Sequence, residues 1–192
     1  DNNESSDHFT YDPANPVPSL GGAYGYGIPG VFEVGVQDQK LVEDREDVLV
    51  YTSEILDEDL EIAGQVKMTL WAKTTAVDTD WTAKLLDVDE HGKSTNVCDG
   101  ILRARLNKSL ETECFVDSNQ VECFLIDLGF TAMLFAKGHR IRVQVSSSNF
   151  PAFERNLNTG KGSDDSQIVI AKQTIFHDSK YPSFINLPKI NR

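Results

Sequence analysis

From about residue 48 onward, apolar and polar residues alternate along most of this chain. Ile62, Gly64, Val66, Met68 and Leu70 fall on one face of an extended segment, and Gln65, Lys67 and Thr69 on the other. A period of two marks a half-buried strand. Further strand-like runs cover Trp81–Val88, Ile101–Leu106, Val121–Leu128, Arg140–Ser146, Gln167–Ala171 and Phe184–Leu187. Turn signals separate them at Glu90-His91-Gly92, Asp99-Gly100, Asp117-Ser118-Asn119 and Lys137-Gly138. Thr131–Phe135 is the one stretch that reads as a helical turn, and no long segment carries a 3.6-residue period. Many short strands with turns between them predict an all-β chain, a β-sandwich or jelly roll.

The first forty residues break this pattern. "DNNESSD" is polar and predicts a frayed end. "YDPANPVPSLGG" holds three prolines and a glycine pair, which favour extended, turn-rich backbone over helix. The expected layout is an irregular N-terminal segment over 1–40, part of the same domain as a sandwich over 41–192.

Bulk properties narrow the function. The chain has 192 residues, about one domain. The net charge of -12 disfavours a nucleic-acid partner, because phosphate binding needs a basic stripe. No apolar run approaches the roughly 18 residues of a membrane span. No secretion signal is visible, so the expected location is the cytoplasm. The first residue is Asp, which suggests a piece of something longer. Cys98, Cys114 and Cys123 are odd in number and form no CxxC, so they are expected to be packed thiols.

Several strings imitate known sites. Gly25–Gly30 fits GxGxxG, but a proline-rich coil precedes it and Pro29 interrupts it, so no dinucleotide site is expected. Asp87–Gly92 starts like a calcium loop, yet its twelfth position is Cys98 where a bidentate Glu is required. His8, His91, His139 and His177 are not spaced as a zinc pair. The expectation is no metal and no cofactor. G-x-S-x-G is absent, so the chain lacks the elbow of an α/β-hydrolase nucleophile. His139 could act as a base for Ser148; the plainer reading has His139 and Arg140 satisfying a turn.

The stretch "SSSNFPAFERNLNTG", from Ser146 to Gly160, follows the strong strand pattern of Ile141, Val143 and Val145. Pro151 fixes a tight turn, and the Asn side chains can bond nearby backbone. Arg155 can tie loop carbonyls or a carboxylate such as Asp78 or Asp80. This reads as a scaffold loop, with Asp78, Asp80, His139, Arg140, Asn149, Arg155 and Asn156 as structural residues and no catalytic residue.

Six strings occur in register: "YDPANPVPSLGG", "VEDREDVLVYTSEIL", "AVDTDWTAKLLDVDEHG", "CDGILRAR", "GHRIRVQVSSSNFP" and "RNLNTG". From about residue 9 to Pro188 the chain resembles the C-terminal domain of the X-Pro dipeptidyl-peptidase and cocaine esterase family of serine hydrolases. "AYGYGIPGVFEVGVQ" departs most from the family pattern. The resemblance implies a jelly-roll β-sandwich of the galactose-binding-like kind, packed on an α/β-hydrolase domain, which carries the Ser–Asp–His triad, and on a helical cap. No triad residue maps onto this chain.

The expected role is therefore a non-catalytic domain of a larger hydrolase that shapes its pocket. Its partners would be the hydrolase and cap domains, with self-association through a bared interdomain face. X-Pro peptides, esters and acylated antibiotics all remain open as substrates. The resemblance further implies that the loop after "PVPSLGG" reaches the pocket mouth, so Tyr24, Tyr26 and Phe32 are candidate pocket-lining residues. A separate carbohydrate- or peptide-binding module is the alternative, with Trp71 and Trp81 as its candidate platforms.

Overall fold

A computed structural model describes residues 6–190 apart from 24–26, 28 and 32. Its strands are β1 (Ser6–Tyr11), β2 (Leu49–Thr52), β3 (Leu60–Thr74), β4 (Asp80–Val88), β5 (Ser94–Arg103), β6 (Glu122–Phe135), β7 (Arg140–Ser146), β8 (Ala171–Phe176) and β9 (Phe184–Asn186). Short helical pieces are α1 (Lys40–Glu43) and a 3₁₀ turn at Ala104–Leu106. No described helix is long and apolar enough to cross a membrane.

The strands form two antiparallel sheets, β1-β8-β3-β6 and β2-β7-β4-β5, and β9 adds to β3. The pairs β1–β8, β2–β7, β3–β6 and β4–β5 are all hydrogen-bonded. That nesting is one long antiparallel ribbon rolled up on itself. The contacts β8–β3 and β7–β4 close the roll into two facing sheets, a jelly-roll β-sandwich. β1 and β2 lie along one edge of the sandwich, and β5 and β6 along the other.

The core lies between the sheets. Ile62, Val66, Met68 and Leu70 of β3 meet Trp81, Ala83 and Leu85 of β4, and Trp81 packs on Phe124 at 5.6 Å between ring centroids. Every residue of β4 is buried. A central strand buried on both faces needs a second cover, which the N-terminal coil supplies. Val17 and Leu20 pack there with Val42, Val48 and Val50 over the outer face of the second sheet.

Four expectations need correction. Residues 6–11 are not irregular coil: Phe9 and Tyr11 point into the core and β1 pairs with β8. Thr131–Phe135 is not a helical turn. It extends β6 against Leu60–Gly64, with Phe135 buried and Leu134 outward. The predicted strand over 167–171 starts only at Ala171, because Ile168, Val169 and Ile170 lie exposed in the preceding loop. The strand predicted over 101–106 begins earlier, at Ser94, runs through the expected turn at Asp99-Gly100, which pairs with Lys84 and Ala83, and yields to the 3₁₀ turn after Arg103.

Candidate functional site

Two arrangements of polar side chains stand out. The first lies beneath the loop that follows β7. Asp80 opens β4 and faces Arg103 of β5 as its direct cross-strand partner. Arg103 Nε and Nη2 donate to the two Asp80 oxygens at 2.9 and 3.1 Å. One step outward, Arg105 Nη1 donates to Asp78 Oδ2 at 3.1 Å, and the Arg105 backbone N–H to Asp78 Oδ1 at 3.0 Å. Asn156 Nδ2 then bridges the two acids, at 2.8 Å to Asp78 and 3.0 Å to Asp80.

Neighbouring groups extend this knot. Tyr11 donates its hydroxyl to the Asn156 carbonyl at 2.9 Å, which ties β1 to the loop. Gln173 Nε2 reaches Thr79 Oγ1 and Ser147 Oγ. Asn149 Nδ2 donates to Asp99, and the Ser148 hydroxyl accepts from the Val17 N–H. Arg155 donates to the Pro13 carbonyl at 2.9 Å, while Arg103, Arg105 and Asn156 hold Asp78 and Asp80.

The electrostatics suit a buried tie. Burial pushes the Asp80 carboxyl above its ordinary range, against the opposing pull of Arg103 and Asn156. The Asp80 carboxylate in turn holds the Arg103 guanidinium charged. Burial, with the Asp80 charge adding, raises the Tyr11 hydroxyl far above its usual value. Burial and then the Asp99 charge push the Cys98 thiol up to about 12, which leaves it a poor nucleophile.

His139 and Arg140 stand apart from this cluster. β7 pairs Ser146 with Thr82 and Arg140 with Val88, so His139 lies at one end of β7 and Ser148 beyond the other. They cannot form a nucleophile–base pair, which requires hydrogen-bond reach. His139 Nδ1 sits 2.9 Å from Asp87, and Arg140 donates to the Ser53 carbonyl. Trp81 is sealed in the core and Trp71 packs on Tyr181, so neither offers a free platform. Among the described residues, no group of three or more His, Cys, Asp and Glu side chains is arranged to hold a metal.

The second arrangement is the stem of the loop from Gly22 to Gly35. The two glycines exchange backbone hydrogen bonds at 2.9 and 2.8 Å, and Gly21 N–H donates to the Glu33 carbonyl. Asn96 of β5 clamps the stem: its Nδ2 donates to the Gly35 carbonyl and its Oδ1 accepts from Gln37 N–H. Gln39, fully buried, bonds the Leu20 and Gln37 carbonyls. Beneath it lies Lys84, whose ammonium donates to Gln39 Oε1 at 3.4 Å. Burial lowers the Lys84 pKa, with the Asp99 charge pulling the other way.

Only Gly can occupy position 21, where φ is +69° and an added Cβ would meet the Gly35 carbonyl. Above the stem, Val31 is 62% exposed and Val36 70%. A cleft of about 630 Å³ runs beside the stem, bordered by Val36, Asp99, Ile101, Phe130 and Phe153. Tyr24, Tyr26 and Phe32 lie outside the described residues.

Sequence reading picked out the acids and Asn156 but passed over Arg103, Arg105, Asn96, Gln39 and Lys84. D-x-D in "VDTDW" and R-x-R in "LRAR" carried a usable signal: equal spacing on antiparallel neighbours puts each acid beside an Arg.

The polar side chains of the first arrangement are spent on tying loops to strands. The sequence pattern of the X-Pro dipeptidyl-peptidase C-terminal non-catalytic domain matches residues 2–186, and the chain belongs to that family. It is 42% identical to the cocaine esterase of Rhodococcus sp. (strain MB1 Bresler), covering 98% of this chain and 33% of the esterase. A solved α-amino acid ester hydrolase superposes with a TM-score of 0.86 at 32% identity, over 97% of this chain and 33% of the hydrolase. An aminopeptidase from a marine sediment Thaumarchaeota archaeon gives 0.86 at 30% identity, over the same shares. The chain thus spans about a third of the length of these relatives.

Proposed function

We propose that this chain is the C-terminal accessory domain of a serine hydrolase, packs on the α/β-hydrolase and cap domains of that enzyme, and builds one wall of its substrate pocket with the 22–35 loop. The clamped stem is the observation that carries this reading. Surface loops whose ends are pinned together are frequently functional. Two backbone bonds, Asn96 and Gln39 fix the root, while Val31 and Val36 are left uncovered. Phe130, 80% exposed on the edge strand β6, extends the same apolar face, which a partner domain would cover.

Chain 1–192 acts as one domain in this reading, because Val17 and Leu20 of the N-terminal segment pack with Val42, Val48 and Val50 over the second sheet. Expressed alone it self-associates through the uncovered face. Three free cysteines suit the cytoplasm, where thiols stay reduced. The substrate is an ester or amide of the kinds the relatives' names carry.

The test is kinetic, in the full-length hydrolase that carries this domain. Tyr24→Ala and Tyr26→Ala should each raise KM or shift acyl preference several-fold, about 1 kcal/mol per lost aromatic contact, with Tm nearly unchanged. Wild-type kinetics for both variants on several acyl lengths would remove the loop from the pocket.

A further inference from the structure

The edge of the sandwich farthest from this loop holds a cleft that the accessory role leaves unused. β8 pairs with β3 as far as Phe176 opposite Trp71, and β9 resumes the pairing at Phe184 opposite Thr69. The chain between them, 177–183, leaves the sheet. The gap opens a cleft of about 420 Å³ onto the core between β1, β2 and β9. That volume suits a small ligand. Its floor is apolar, made of Met68, Val143 and Ile175, and Phe184 stands at the rim, 48% exposed.

One carboxylate sits at the mouth. Tyr51 reaches across from the second sheet and donates its hydroxyl to Asp7 Oδ2 at 2.7 Å. His177 Nε2 lies 3.1 Å from the same oxygen. A carboxylate only accepts, so Nε2 carries the proton in this contact. Both donors fall on Oδ2, and among the described residues Asp7 Oδ1 has no partner. The Tyr51 and His177 rings meet edge to face at 6.3 Å, so aromatic surface flanks the charge.

We propose that this cleft is a binding site for a small organic ammonium ion with an apolar body. The carboxylate supplies charge complementarity and repels anions. Aromatic rings attract a cation through their faces. The apolar floor takes the hydrocarbon part of the ligand, which a bare metal ion or a sugar would leave unfilled. The site lies along the β1–β2 edge, whereas the 22–35 loop is clamped to β5 at the opposite edge. The two proposals therefore stand or fall separately.

The experiment is an NMR titration of the 192-residue chain with 2-phenylethylammonium, against 2-phenylethanol and 3-phenylpropionate of similar shape. The expected result is saturable binding of the ammonium, with shifts centred on Tyr51, His177 and Phe184. Its affinity should exceed that of the alcohol about tenfold, the order of a cation–aromatic plus charge contribution, and the carboxylate should not bind. Asp7→Asn should abolish the preference for the ammonium over the alcohol. Phe184→Ala, at an exposed rim position, should weaken both ligands while the rest of the spectrum is unchanged. Equal affinity for ammonium and alcohol, no saturable binding, or ammonium binding that survives Asp7→Asn undiminished would overturn the proposal.

Discussion

Asp80 and Arg103 stand directly opposite each other on β4 and β5 and share two hydrogen bonds, 2.9 and 3.1 Å long, with the acid almost wholly out of solvent. The pair joins the strand that follows one loop to the strand that precedes another, and Asn156 adds the third loop. Three segments far apart in sequence thus meet on two carboxylates.

Removing one partner of such a pair strands the other charge in the protein. Arg103→Met should cost roughly 3 kcal/mol, at the lower end for a broken buried pair because Asn156 still bonds the acid. Urea unfolding measures it. Asp80→Asn combined with Arg103→Met should recover much of the loss, since no unpaired charge is left. A double variant as unstable as the single one would mean that shape, rather than charge, holds the loops.

A second prediction concerns the close approach of the two sheets at the β5–β6 edge. A Cβ built on Gly100 would lie 2.1 Å from the Asp127 carbonyl oxygen, a backbone atom with no rotamer to yield. Gly100→Ala should therefore cost roughly 1–3 kcal/mol, as overpacking does, and should loosen the cleft beside the loop stem. A melting temperature equal to wild type would show that the sheets can part there freely.

These contacts also mark how far the sequence could be read. β7 was legible to the residue because its apolar residues alternate cleanly after the Lys137-Gly138 turn, and β4 nearly so because it is rich in apolar residues and ends just before the Glu90-His91-Gly92 turn. β1 was hidden: only Phe9 and Tyr11 point inward before prolines begin. The run Ile168–Ile170 misled in the other direction, since three apolar residues in a row look like a strand core yet sit in a loop. Asp78, Asp80 and Asn156 were legible as structural residues, but their Arg partners emerge only when D-x-D is set against R-x-R across the β4–β5 register, a match between two separate strings. The buried Lys84 was invisible for a related reason. A lysine on an alternating strand reads as solvent-facing until the N-terminal coil is seen to roof it.

Lys84 carries a pH prediction. Its folded pKa lies below the ordinary 10.5, so between the two values the unfolded chain binds the proton and the folded chain does not. Stability then rises with pH through that window, and below it the cost of the buried ammonium is fully present. Urea midpoints measured from neutral pH to about 10 should climb for wild type relative to Lys84→Met, so the gap between them changes with pH. Parallel curves would show that Lys84 keeps its ordinary pKa in the folded protein.

The most direct test of the proposed role is excision of the loop tip. In the full-length hydrolase, residues 23–34 are replaced by a two-residue Asn-Gly turn joining Gly22 to Gly35, which already pair as a hairpin stem. Steady-state kinetics are then measured on a series of acyl esters. A folded enzyme of near wild-type Tm should keep its hydrolytic machinery, with KM raised several-fold and discrimination between acyl lengths flattened. Unchanged KM and unchanged discrimination across the series would contradict the claim that this domain forms part of the substrate pocket.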